Sequence, residues 1–416
     1  MSTFRLSPAA ALFAASLLLM NSASPLAAQD QLTAPVPALG ADARSLDEWQ
    51  SRRPGIVELF REHVYGRSPV GRPDSLRFEP GELAPAFDGQ ARRRQVRISY
   101  RGADDAENGI NLACYYPPEG EPIKGVFILI VNRSPRIVTE AETKPSEFWP
   151  VADIVARGYA TAAFHYSDVA PDKKEDDLQN GVFALYGPHP RADDAWGAIG
   201  AWAWGASRVV DYVETDPLLK GAPVAVAGHS RGGKTALWCG AQDERVVLTI
   251  SNNSGTTGAA VARVSRGETI TRINTVFPHW FALNYRRYND RPEALPVDQH
   301  LLVAALAPRL AYVSSAVEDA HADPAAEFRA CVEASPVYEL HGHAGVKPAT
   351  FPAVGEARHE GRIGYHLRPG GHDLLREDWR RFMDFADRHL PAANRIAAKI
   401  RKRHKSKSRP LRLSED

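Results

Sequence analysis

The residues Gly228-His229-Ser230-Arg231-Gly232 form a Gly-x-Ser-x-Gly sequence directly after the apolar run Val224-Ala225-Val226-Ala227. A strand that runs straight into such a motif places the serine on a strained strand-to-helix turn, with its hydroxyl projecting where a substrate can reach it. Glycines flank the serine because Cβ atoms there would crowd the turn. The following residues, Gly233-Lys234-Thr235-Ala236-Leu237-Trp238-Cys239-Gly240-Ala241, read as a helix packed by small and apolar side chains. Ser230 is therefore the expected nucleophile. A chance match of a short pattern is the alternative, and the strand before and the helix after weigh against it.

A serine hydroxyl needs a base to take its proton, and the base needs an acid to orient it. In the strand-elbow-helix arrangement the chain order is serine, acid, histidine. His372 fits the base best, because it follows a strand-like run over 362–367 through the turn Arg368-Pro369-Gly370-Gly371 and is read as opening a helix. His341, His343, His359 and His366 compete; the first two lie in a Gly-containing loop and His366 falls within the strand. The acid is expected past the preceding strand, where 310–315 leads into Val317-Glu318-Asp319-Ala320-His321. The usual offset selects Asp319, and Glu318 beside it stays open. Arg231 has its backbone N–H in place to meet an oxyanion, and its guanidinium offers a second, permanently charged donor.

Those side chains need a scaffold, and the pattern supplies one. Apolar runs over 125–131, 159–164, 224–227, 246–250, 310–315 and 362–367 read as strands. Helices read over 148–156, 196–214 and 374–389. Alternation of this kind means parallel strands joined by crossover helices. The expected fold is the α/β-hydrolase fold, a three-layer αβα sandwich with a mostly parallel central sheet. A helix over 46–65 and an antiparallel pair over 96–100 and 111–116 read as decorations on that sheet.

Composition bounds the rest. Residues 1–28 carry Arg5, an apolar stretch and small residues, the pattern of a signal peptide, which implies an exported protein, periplasmic or extracellular. No later run reaches the roughly 18 apolar residues of a membrane span. Lys plus Arg at 51 against Asp plus Glu at 50 gives no global field, so no nucleic-acid partner is expected. A single domain is expected over 29–395. A basic tail follows over 396–416, read as solvated and disordered, an inert extension with nonspecific surface binding as the alternative. Cys114, Cys239 and Cys331 lie far apart, which argues against a disulfide framework and for buried small hydrophobes. A monomer without metal or cofactor is expected.

The segment from Gly228 to Trp238 resembles the nucleophile motif of the glucuronoyl esterases, carbohydrate esterase family 15. The resemblance extends to Trp196-Gly197-Ala198-Ile199-Gly200-Ala201-Trp202-Ala203-Trp204-Gly205, Arg266-Gly267-Glu268-Thr269, Phe277-Pro278-His279-Trp280-Phe281, Leu295-Pro296-Val297-Asp298-Gln299-His300, Ala307-Pro308-Arg309 and Ala322-Asp323-Pro324. At the N-terminal end it takes in Glu48-Trp49-Gln50-Ser51-Arg52-Arg53-Pro54 and Val64-Tyr65-Gly66-Arg67. It implies hydrolysis of the ester between 4-O-methylglucuronate of plant cell-wall glucuronoxylan and lignin alcohols, with Ser230 as nucleophile, His372 as base and Arg231 at the oxyanion. It also implies that Lys234 and Glu268 bond hydroxyls of the uronate ring. From the residues alone, these two read as a solvated helix lysine and a helix-start glutamate.

Several positions depart from the family pattern. Asn253 stands where some members carry the acid, which directs the search to the loop after the later strand. Gly255-Thr256-Thr257-Gly258 replaces Gly-Cys-Gly-Gly, and His321, expected among the substrate-binding residues, stands where a tryptophan often precedes Ala-Asp-Pro, removing a sugar-stacking surface. His229 and Asp373 stand where fungal members have cysteines. Val131-Asn132-Arg133-Ser134-Pro135 replaces an expected Gly-Asn-His. Two other readings stay open: an acetyl esterase acting on xylan with the same triad but a pocket lacking uronate contacts, and, from these changes, a carbohydrate-binding protein that has lost turnover.

Overall fold

The computed structural model describes residues 31–102, 104–174, 178–187 and 190–390. The signal-peptide reading over 1–28 and the basic tail over 396–416 lie outside the described residues. Among the described residues one sheet is built from strands β1 (Arg77–Pro80), β2 (Ala84–Ala86), β3 (Ala91–Arg101), β4 (Glu107–Tyr116), β5 (Val126–Val131), β6 (Ala160–His165), β7 (Val224–His229), β8 (Val246–Asn252), β9 (Leu310–Ala316), β10 (Ala357–Arg358) and β11 (Ile363–Arg368). Their order is β1-β3-β4-β6-β5-β7-β8-β9-β11-β10, with β2 pairing β3. The six neighbours from β6 to β11 run parallel.

Parallel strands covered on both faces must be apolar on both faces, and β5, Val-Phe-Ile-Leu-Ile-Val, is buried throughout. Its alternate residues enter two cores. Val126, Ile128 and Ile130 pack on the side of helices α1 (Leu46–Phe60), α3 (Ala198–Thr215), α4 (Arg231–Gln242), α6 (Gln299–Ala304) and α7 (Pro324–Leu340). Phe127, Leu129 and Val131 pack on the side of α2 (Val151–Ala156) and α8 (Arg376–His389). A further helix, α5 (Ile270–Val276), adds Ile270 and Ile273 to the first of these cores. The result is the three-layer αβα sandwich of the α/β-hydrolase type.

Differences from the sequence reading have physical causes. The antiparallel pair is no decoration: β3 and β4 continue the sheet, because β4 pairs β6 with Leu112 opposite Phe164 and buries both of its faces. The helix expected from 148 begins only at Val151, since a residue before proline, here Trp149 before Pro150, is driven out of the helical region. The helix expected over 46–65 is regular only to Phe60. It continues as a π turn, Arg61–Tyr65, and stops at Gly66, whose φ of 85° and contact with the Ala195–Trp196 backbone admit no side chain. β7 and β8 run past their apolar residues to His229 and Asn252, which pair with each other. No helix among the described residues is long and apolar enough to cross a membrane.

Candidate active site

Ser230, Asp319 and His372 each follow the carboxyl end of a parallel strand, where open α/β sheets place their ligand sites. Ser230 follows β7 and sits at φ 56°, ψ −124°, at the head of α4. Its amide donates to the Asn252 carbonyl at 2.8 Å, and its own carbonyl takes the N–H groups of Gly233 at 2.9 Å and Lys234 at 3.1 Å. A Cβ on Gly228 would collide with the Gly232 carbonyl, so the elbow closes only around glycine. A serine held at positive φ carries strain of order 1–3 kcal/mol, sustained by the β7–β8 pairing beneath it.

His372 lies in the loop between β11 and α8 rather than opening the helix. The helix starts at Arg376 because the Asp378 carboxylate takes the Leu375 N–H at 2.7 Å and fixes its first turn there. His372 Nδ1 is 2.6 Å from Asp319 Oδ2. Asp319 is buried and also accepts from Asn253 Nδ2 at 2.7 Å and Ala322 N at 3.1 Å. Burial pushes its carboxyl up, but the hydrogen bond and charge of His372, with the donors from Asn253 and Ala322, outweigh it and hold the group below the usual range. Glu318 is exposed, and its backbone N–H goes to the Gly370 carbonyl. Of the competing histidines, His366 bonds Tyr312 and Asp378 inside the core and His359 bonds Tyr312. His341 and His343 lie at the far end of α7.

Ser230 and His372 line one cavity of about 180 Å³ together with Arg231, Lys234, Asn253, Glu268, Phe277, Trp280 and His321. No hydrogen bond joins the Ser230 hydroxyl directly to His372; such contacts commonly tighten only in the Michaelis complex. His229, fully buried beside them, lies against His372 with ring centroids 4.5 Å apart and the planes tilted by 50°. Burial, then the charges of His372 and Arg133, hold it well below its ordinary pKa, so it is neutral, with Nδ1 at 2.7 Å from Asn252 Oδ1.

The cations fall into two groups. Lys234 is only 2% exposed; its ammonium donates to the carbonyls of Ser254 and Thr256 and to Glu268 Oε2 at 3.1 Å. The other oxygen of Glu268 meets His321 Nε2 at 3.3 Å. Burial raises Glu268, and the charge of Lys234 with the His321 contact outweighs it, leaving its pKa lowered. Arg231 lies over Trp280, with its guanidinium carbon 4.9 Å from the ring centroid, and pairs with Asp172. Its Nε–H has no partner among the described residues.

Sequence reading missed Asp172. It lies in the loop after β6 and accepts from His279 Nε2 and Trp280 Nε1, both at 2.7 Å. Burial alone would raise it, but the His279 hydrogen bond, the Arg231 charge and the Trp280 N–H bring it down to about 2. That value lies below the ordinary ~3.9, so the stabilisation it lends is present above about pH 4 and fades as the pH falls through its folded value. A charge-assisted hydrogen bond is worth about 1.5–3 kcal/mol. Asp172→Asn is therefore expected to lower kcat by about tenfold through loosening of Arg231, read from ester hydrolysis at neutral pH. An unchanged kcat would remove Asp172 from the site. Its signal in sequence was indirect: the Phe-Pro-His-Trp-Phe motif was visible, but not what its His279 and Trp280 hold. Glu327 was also missed. Burial pushes it up to about 8, and it takes the N–H groups of Ser254 at 2.7 Å and Gly255 at 3.0 Å, fixing the turn that presents Asn253. Among the described residues no group of three or more His, Cys, Asp or Glu side chains is arranged to hold a metal ion.

The family model for fungal glucuronyl esterases matches residues 141–342. A carbohydrate esterase from an unknown prokaryotic organism is 37% identical over 84% of this chain and 87% of its own. The structure of a glucuronoyl esterase from Solibacter usitatus superposes with a TM-score of 0.78 at 35% identity, covering 85% of this chain and 97% of that one. A promiscuous esterase of carbohydrate esterase family 15 from a marine bacterial metagenome gives 0.74 at 36% identity, over 83% and 93%. Similarity of this extent, on one fold and over most of each chain, means that the protein belongs to the glucuronoyl esterases of carbohydrate esterase family 15 and is a carboxylic ester hydrolase.

Proposed function

We propose that this enzyme hydrolyses the ester between 4-O-methylglucuronate of glucuronoxylan and lignin alcohols, after export directed by residues 1–28, as a monomer and without metal or cofactor. The Ser230 hydroxyl attacks the ester carbonyl carbon while His372 Nε2 takes its proton, and Asp319 stabilises the resulting imidazolium. The negative charge that develops on the carbonyl oxygen is met by the first amide of α4, at Arg231, and by the unpartnered Arg231 Nε–H. His372 returns the proton to the departing alcohol. Water then enters, is deprotonated by His372, and releases the uronate from Ser230.

The observation that carries this reading is the buried Lys234–Glu268 pair opening on the same cavity as Ser230. An acetyl group has no use for it; a uronate ring has hydroxyls that can donate to the Glu268 carboxylate, which Lys234 holds in place. Glu268→Gln keeps the shape and removes the charge. It is expected to raise KM for benzyl glucuronate by about tenfold, the loss of one charge-assisted hydrogen bond, with p-nitrophenyl acetate hydrolysis unchanged. Equal damage to both substrates would assign Glu268 a structural role instead. The substrate class itself is tested by giving the mature protein benzyl glucuronate beside acetylated xylan. Uronate ester cleavage is expected; acetate release alone would move the function to deacetylation, and silence on both would favour a binding protein.

A further inference from the structure

The loop that carries His372 has no regular secondary structure, yet each of its five carbonyls from Pro369 to Asp373 has a donor. Arg368, buried at the end of β11, gives Nη1 to Pro369 at 2.9 Å and Nη2 to Gly371 at 3.0 Å and Asp373 at 2.6 Å. Its own Nε is held by both oxygens of Asp378. The Glu318 N–H donates to the Gly370 carbonyl at 3.0 Å. The remaining carbonyl, that of His372 itself, is held by Arg133 Nη2 at 3.2 Å.

Arg133 comes from a different part of the chain, the loop after β5, and touches more than that carbonyl. The same Nη2 lies 3.2 Å from Asp373 Oδ1 and 3.4 Å from His229 Nε2. His229 immediately precedes Ser230. The arginine is anchored in turn: its carbonyl meets His165 Nε2 at 2.8 Å, and its guanidinium lies over the Phe148 ring at 5.7 Å. One guanidinium therefore ties the strand end that bears the nucleophile to the loop that bears the base. It is about two-fifths exposed, unlike Arg368, so it is not needed to fill the core.

We propose that Arg133 is a positioning residue that sets the distance between Ser230 and His372 by clamping the His372 carbonyl and the Asp373 side chain against His229. This rests on the reading of His372 as the base. A geometric role has a kinetic signature: displacement of about 1 Å at a catalytic group costs on the order of a hundredfold in rate while leaving substrate contacts intact.

The test compares Arg133→Met, Arg133→Lys, Arg133→Ala and His372→Ala with the wild type on benzyl glucuronate. Arg133→Met is expected to lower kcat by about 10- to 100-fold with KM unchanged and the melting temperature nearly so. Arg133→Lys is expected to recover little, because the shorter lysine side chain does not carry its ammonium to the place of Nη2, the one nitrogen that reaches all three acceptors. Millimolar ethylguanidinium is expected to restore part of the kcat of Arg133→Ala and nothing in His372→Ala. A kcat loss of less than about fivefold in Arg133→Met, a loss matched by the fraction unfolded, or no rescue by ethylguanidinium would overturn the proposal. The base assignment fails separately, if His372→Ala keeps its activity.

Discussion

Replacing Ser230 by alanine is expected to abolish benzyl glucuronate hydrolysis, with a fall in kcat of about a millionfold, as when the nucleophile of a serine triad is removed. No other lining side chain can take over. Lys234 is tied up by two carbonyls and Glu268, Arg231 by Asp172, and among the described residues no cysteine or second serine hydroxyl is paired with His372. What survives is catalysis by the oxyanion donors and by binding alone, about 10³–10⁴-fold over water in such enzymes. Because alanine accepts the same positive φ at about the same strain as serine, and the Ser230 hydroxyl makes no structural hydrogen bond among the described residues, the variant should fold. An unchanged melting curve with lost turnover is the expected pair of results. Turnover persisting above about a hundredth of wild type in a folded variant would rule out the serine mechanism.

Asp319→Asn carries the second largest effect, a fall of about 10⁴-fold in kcat, whereas Glu318→Ala should stay within about twofold. The asymmetry follows from placement. Asp319 receives three donors, from His372, Asn253 and Ala322, at 2.6–3.1 Å, so an amide in its place turns an NH₂ group toward at least one of them and disfavours the tautomer in which His372 Nε2 is free to act as base. Glu318 points to solvent and contributes only its backbone. The two single variants, assayed side by side for kcat and melting temperature, settle the acid: if Glu318→Ala is the more damaging, Asp319 is not the acid. Adding Asp319→Asn to His372→Ala should cost almost nothing further, since residues that act as a unit are not additive. The lowered Asp319 pKa also has a sign. Its contribution to stability is present above the ordinary carboxyl value of ~3.9 and is lost as the pH falls through the folded value, so this pair is intact across the neutral range.

The fold was largely legible because its central strands are apolar on both faces, and each of the six parallel strands falls within a residue or two of the run that announced it. What sequence could not show was where a strand ends once its residues turn polar. His229 and Asn252 still belong to the ladder because each finds a buried partner, a property of the pairing and not of the residue. The same limit governs the site. Ser230, Arg231 and Lys234 share one elbow and one helical turn, so spacing alone brings them together, while the offset from β9 favoured Asp319 and left Glu318 open; burial and the His372 contact distinguish them only in the folded chain. Asp172, Glu327 and Arg133 had no such spacing. Each lies on its own loop or helix and reaches the site only when the sheet has ordered its strands. Arg133 was visible only as a departure from the family pattern, and Asn253 as a missing acid; in the folded chain Asn253 donates to Asp319.

The three cysteines have a consequence for how the protein can be handled. Cys114 on β4, Cys239 on α4 and Cys331 on α7 are all buried and outside any disulfide, and burial pushes the Cys239 thiol up to about 12. A thiol in that state is neither a nucleophile nor an exchange partner at neutral pH. Redox poise therefore has no handle on this molecule: its cleft is shaped by arginine clamps and carboxylate pairs that a reductant does not touch. Dithiothreitol should leave both its melting temperature and its turnover where they were.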